Sequence, residues 1–158
     1  MKNSSILNII LLISIFALVA AYFVEYILGF KACNLCLIER IPYFLAIIII
    51  LLSLIFNRFK KYVFIFLGLI FLFAALLSFY HFGIEQGFFK ESLVCSSNND
   101  INILNKKDLL KALKTPIISC KEVEFRLFGL SLATINTIIS LVLSAISIRY
   151  FVKYEKNK

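Results

Sequence analysis

The chain is predicted to be an all-α membrane protein, a bundle of four transmembrane helices with a short surface helix in its second outer loop. Three observations carry this. Of 158 residues, 61% are hydrophobic and only 16% charged, against roughly half and a quarter in a soluble domain. The excess falls in four runs, Ile6–Val24, Ile41–Phe56, Tyr62–Tyr80 and Gly129–Ile148, and none contains Asp, Glu, Lys or Arg. Basic residues concentrate where an even number of crossings returns the chain to one side.

The first span is placed at about 6–24. Its apolar run is longer than the core of a cleaved signal peptide, and a small-x-small cleavage site is missing, so it is expected to be retained. A membrane helix needs about 20 apolar residues, and the second run is short. From Ile41 to Phe56 a helix rises roughly 24 Å against a core of about 30 Å. The span therefore borrows from residues before it, and Pro42 limits how far, because it lacks an N–H and is tolerated only in a first turn. The second span is set at about 38–56, which puts Arg40 and Cys36 at headgroup depth. The third is set at about 62–80 and the fourth at about 129–150. Loops of about 25–37 and 81–128 lie on the opposite side from the termini, and residues 1–158 form one membrane domain.

Residues 1–5, 57–61 and 149–158 hold eight Lys or Arg in 20 residues, whereas residues 25–40 and 81–128 on the opposite side hold nine in 64 together with eight of the nine acidic residues. The net charge of +8 thus divides into +7 and +1. Positive span ends mark the cytoplasmic side, so both termini are expected there and both loops outside. Topology accounts for the basic balance without a nucleic-acid partner. Tyr22, Tyr26, Tyr43 and Tyr80 are expected in the interfacial aromatic belt.

Within the second loop, Ile101–Lys114 interleaves Ile103, Leu104, Leu109, Leu110 and Leu113 with Lys106, Lys107, Lys111 and Lys114. That suits an amphipathic helix on the bilayer surface, stopped by Thr115-Pro116.

All four cysteines fall on the outer side. Cys33 and Cys36 form a CxxC pair, and Cys95 and Cys120 flank the amphipathic segment. Two permanent disulfides, Cys33–Cys36 and Cys95–Cys120, are one reading, since disulfides persist outside the cytosol. A staple across the long loop is reasonable, but one closing so small a loop as CxxC restrains little. Zinc is another, weakened because a second CxxC is missing. Redox activity is the reading preferred, because CxxC pairs are commonly exchangeable and a nearby cation favours the thiolate. Arg40, four residues beyond Cys36, could supply that cation or simply reach lipid phosphates. His81, the sole histidine, closes the third run, where a polar span end is the plain reading.

Taken together, Cys33-Asn34-Leu35-Cys36-Leu37-Ile38-Glu39-Arg40 at the start of a second span resembles the CxxCxxxR signature of the DsbB family, bacterial inner-membrane quinone-dependent thiol oxidases. The resemblance continues through His81, Cys95, Cys120, Phe128-Gly129-Leu130-Ser131 and Asn136, across about residues 7–152. Relatives of vitamin K epoxide reductase place their loop cysteines before the CxxC, the reverse of the order here. The resemblance implies Cys33, Cys36, Cys95 and Cys120 as catalytic residues, with Cys95 bound transiently by a reduced DsbA-like periplasmic oxidase. It implies a Cys33–Cys120 bond between loops, and Cys36 handing electrons to ubiquinone or menaquinone. Arg40, Cys36 and His81 would contact that quinone. The implied location is the bacterial inner membrane, with cytoplasmic termini and periplasmic cysteine loops. Phe30, Tyr43, Phe79 and Phe82 could replace the bulky aromatics that relatives place at the ring. A dedicated oxidase for one specialised client, or a membrane protein with inert disulfides, are the competing functions.

Overall fold

Four helices long and apolar enough to cross a membrane arise from these runs in the computed structural model. It describes residues 2–55, 60–90, 120, 126–127 and 129–156. Helix α1 covers Lys2–Tyr26, α2 Asn34–Ile38, α3 Ile41–Ile55, α4 Lys60–Glu85 and α5 Leu132–Lys156. A two-residue antiparallel ladder, β1 (Arg126–Leu127) with β2 (Leu130–Ser131), leads directly into α5. The amphipathic segment 101–114 and Cys95 lie outside the described residues.

The second span starts earlier than the position of Pro42 suggests. Cys33 caps α2, its sulfur accepting from the Cys36 N–H at 3.3 Å, and the apolar span then reads continuously from Asn34 to Ile55. Pro42 leaves its mark as a turn at Glu39-Arg40 between α2 and α3. Pro42 has no N–H for the Ile38 carbonyl. Arg40 N instead bonds Leu37 O at 3.2 Å, and Phe44 N resumes the helix on Arg40 O. The third span runs on to Glu85, so His81 sits inside a helix and not at the mouth of a loop. At the fourth span, Gly129 takes φ 82° in the turn of the ladder. Ser131 Oγ accepts the Thr134 N–H at 3.2 Å, an N-cap that starts α5 at Leu132.

The helices pack in the order α1–α3–α4–α5, most extensively between α4 and α5. Their outward faces carry Leu12, Phe16, Phe73, Leu76 and Ile138, all more than half exposed, as expected where lipid replaces water as the solvent. The seam of α5 is small and polar instead. Ala133, Ser140, Ser144 and Ser147 are all buried, which lets backbones approach closely. Ser144 Oγ donates to the Gly68 carbonyl at 2.9 Å, and a Cβ on Gly68 would lie 2.8 Å from Ile148 Cγ1. Gly68→Leu is therefore expected to lower the melting temperature in detergent, at a cost of about 1–3 kcal/mol for overpacking. An unchanged melt would show that this seam does not set the α4–α5 distance.

Two buried clusters divide the bundle along its length. One, at the end holding the chain termini, gathers Leu7, Ile10, Ile50, Phe64 and Leu67, and reaches inward to Tyr43 and Phe71. The other, at the opposite end, gathers Cys33, Leu35, Ile84 and Cys120 with Cys36, Ile38, Leu77 and Tyr80. Cys33 and Cys36 of the first loop thus meet Cys120 of the second at one end of the bundle.

Candidate active site at the outer end of the bundle

The site is built from the α2 cap outward. Cys33 and Cys36 form a disulfide with their Cα atoms 5.1 Å apart, spanning the first turn of α2. Cys33 is 6% exposed and Cys36 half-buried. Cys120, 2% exposed, is also disulfide-bonded and packs in the same cluster as Cys33.

His81 stands over this pair from α4. Its Nε2 is 3.6 Å from Cys33 Sγ, and its Nδ1 is 2.7 Å from Glu39 Oε1. Glu85, one turn further along α4, lies 3.8 Å from Nε2. The expectation of a plain polar span end does not describe His81, which is 3% exposed.

Glu39 begins a hydrogen-bonded chain that runs into the bundle. Asn136 Nδ2 donates to Glu39 Oε2 at 2.9 Å and to Ser78 Oγ at 2.5 Å, while Asn136 Oδ1 accepts from the Tyr43 hydroxyl at 2.5 Å. Tyr43 is completed by Ser140 at 3.2 Å. Every member bridges different helices, so the chain ties α3, α4 and α5 together at one depth. Unpaired polar groups are costly within a membrane, and this network satisfies each of these polar atoms. Tyr43 accordingly departs from the expected aromatic belt: it is 4% exposed, with its hydroxyl turned to Asn136. Tyr26, 74% exposed, and Tyr22 remain on the outside, and Tyr80 stacks on Phe89.

Arg40 leaves the turn between α2 and α3 toward α1. Its Nη1 lies 2.5 Å from Glu25 Oε2, and its guanidinium sits 4.7 Å from the centre of the Tyr22 ring. An ion pair and a cation–π contact thus fix the side chain from two successive turns of α1. The cation expected to act on Cys36 is in the same site, but its direct partner is a carboxylate.

A cavity of about 570 Å³ opens between α1 and α5 beside these groups. Its walls are apolar, with Ala17, Ala20 and Ala21 from α1 facing Leu132, Ala133 and Ile139 from α5. Cys33, Cys36, Arg40, His81, Cys120 and Asn136 line it as well. A largely apolar pocket with a few convergent polar groups is the usual form of a small-molecule site. Of the four aromatics expected near a ring, Phe30 and Tyr43 line the cavity, whereas Phe79 is 55% exposed on the outside of α4.

Five of the six site residues expected from sequence thus share one site, Cys95 lying outside the described residues. Sequence reasoning missed Glu25, Glu39, Ser78 and Ser140, placed Tyr22 only as a belt residue, and gave Tyr43 as a belt residue or a ring neighbour without its link to Asn136. A charged residue abutting a span was the available signal for both glutamates.

Comparison with known proteins finds a family and a relative. The family described as disulfide bond formation protein DsbB matches residues 3–149. An uncharacterized protein of Rickettsia prowazekii (strain Madrid E) is 34% identical over 143 residues, covering 87% of this chain and 82% of the relative. No solved structure matches the chain.

Proposed function

Since the chain belongs to the DsbB family of disulfide bond formation proteins, we propose that it reoxidises a DsbA-like dithiol oxidase and passes the electrons to a membrane quinone. One observation carries the reading. The Cys33–Cys36 disulfide, the buried Cys120 and an apolar cavity between membrane spans converge at one end of the bundle. Cysteine pairs that meet can exchange, and a cavity between lipid-facing helices admits a lipid-soluble acceptor.

The residues fit a quinone. Alanine and leucine side chains leave flat apolar room for a ring and its tail, and Arg40 can donate to a carbonyl oxygen at the polar end. A bound quinone would supply the sink for two electrons and two protons. The chain's own part is thiol–disulfide exchange. The partner's thiolate attacks Cys95 of a Cys95–Cys120 disulfide, releasing Cys120. The Cys120 thiolate then attacks Cys33, which forms the bond between loops and releases Cys36 as a thiolate at the cavity wall. Exchange requires a thiolate with access to the attacked sulfur, and the common packing of Cys33 with Cys120 supports that step. The protein works in the bacterial inner membrane, termini in the cytoplasm and cysteine loops in the periplasm, as its basic residues favour.

The test uses the purified full-length protein in detergent with a reduced DsbA-like oxidase and either ubiquinone or menaquinone. Quinone absorbance and partner thiols are followed together. The expected result is one partner disulfide formed per quinone consumed. No consumption of either quinone by folded protein would return the disulfides to a purely structural role.

A further inference from the structure

The exchange steps above use neither His81 nor its partners. Cys33 Sγ faces His81 Nε2 at 3.6 Å, while Nδ1 of the same ring is 2.7 Å from Glu39. An ionised carboxylate can only accept, so Nδ1 carries the proton and donates to Glu39 Oε1. That sets the tautomer: in the neutral ring, Nε2 presents its lone pair to the sulfur. Glu39 is itself held, its second oxygen accepting from Asn136 Nδ2 at 2.9 Å. Cysteine, imidazole and an orienting carboxylate, in that order, form an arrangement suited to activating the Cys33 thiol once the disulfide opens.

We propose that His81 is the proton acceptor and donor for the Cys33 sulfur, with Glu39 and Asn136 as positioning residues. The inference rests on the exchange chemistry proposed above and deepens it. Where Cys33 stands as a thiol, after the Cys33–Cys120 bond has been resolved at Cys120, its S–H bond breaks and an N–H bond forms at Nε2. The products are a Cys33 thiolate and an imidazolium held by Glu39. In the other direction, a thiolate attacks Cys120 of the Cys33–Cys120 bond. The new bond forms at Cys120, the old one breaks, and its electron pair leaves on Cys33 beside the imidazolium. No further oxidant enters either step. The surroundings favour the charged pair: Glu39 and Glu85 face the ring from the α2–α3 turn and from α4. Of the neighbouring cations, Arg40 is paired with Glu25, and Arg126 is near enough to Glu85 for their charges to interact. Among the described residues, Cys36, Cys120 and Tyr80 are the other titratable groups in the cluster around Cys33.

The test reads the thiol directly, without quinone. Full-length wild type, His81→Asn and Glu39→Gln are stripped of quinone in detergent, reduced and freed of reductant. Each is alkylated with iodoacetamide across a range of pH, and the Cys33 rate is obtained by peptide mass spectrometry. Wild-type Cys33 is expected to become reactive well below the ordinary thiol value of about 8.5. His81→Asn is expected to move that profile upward and slow Cys33 at neutral pH on the order of tenfold, with Glu39→Gln moving it the same way by less. A wild-type Cys33 profile in folded His81→Asn overturns the proposal. Should His81→Asn not fold, the ¹⁵N resonances of the wild-type imidazole decide. A change at Nε2 when the disulfide is reduced supports the proton transfer, and no change overturns it. Quinone consumption, measured separately, distinguishes the two failures: an unmoved profile with intact turnover removes only the role of His81. A moved profile without turnover removes the quinone reading instead.

Discussion

Replacing Cys36 with alanine is expected to abolish quinone reduction, by on the order of 10³-fold or more, as when a covalent participant is deleted. The argument follows from position. Of the disulfide-bonded pair, Cys33 is the more buried and faces His81, whereas Cys36 is half-buried on the cavity wall. Without Cys36 there is no Cys33–Cys36 disulfide for Cys120 to attack, so an inter-loop bond should arise only by attack of the Cys33 thiolate on Cys120 of a Cys95–Cys120 disulfide, with Cys95 released as the thiolate. The partner's attack on Cys95 does not need Cys36, and a mixed disulfide with the partner should still form. Peptide mapping under non-reducing conditions would reveal both species while quinone absorbance stays constant. The fold should tolerate the change, because the sulfur is half-buried and its loss opens little space. Continued turnover in Cys36→Ala would place the electron exit at another residue.

How much of this was legible in the sequence differs from element to element. The four spans were, because uncharged apolar runs report membrane burial without any knowledge of partners. The CxxC and Arg40 were legible because their chemistry is local. The start of the second span was not, since extending it to Asn34 depends on the Cys33 sulfur acting as a cap. The entry to the fourth span was misjudged by three residues. Gly129-Leu130-Ser131 is apolar enough to read as helix, yet the Ser131 cap and the Arg126–Ser131 ladder claim it. Tyr43 shows the larger difficulty. An apolar span reveals its depth but not which of its faces turns inward, so a tyrosine near its start reads equally as belt or core. Only contact with Asn136, 93 positions away, decides it. Glu25 and Arg40 pose the same problem, being on separate helices with nothing local to pair them.

That pair supplies the second large effect, and it separates structure from chemistry. Arg40→Ala is expected to raise the KM for quinone about 10- to 100-fold, the equivalent of losing one charged hydrogen bond worth about 1.5–3 kcal/mol. It should also lower the melting temperature, because Glu25, with a side chain 21% exposed, loses its cation, and an uncompensated carboxylate at a membrane edge is costly. Adding Glu25→Gln to Arg40→Ala removes that stranded charge. The double variant is therefore expected to regain most of the melting temperature while keeping the raised KM. Arg40→Lys should fall between, since an ammonium retains the charge but not the planar fork stacked on Tyr22. The decisive comparison is the double variant against Arg40→Ala alone. If removing Glu25 restored quinone use along with stability, Arg40 would serve only to neutralise a carboxylate on α1. If stability alone returns, the guanidinium acts on the quinone itself, with Glu25 and Tyr22 holding it at the cavity wall.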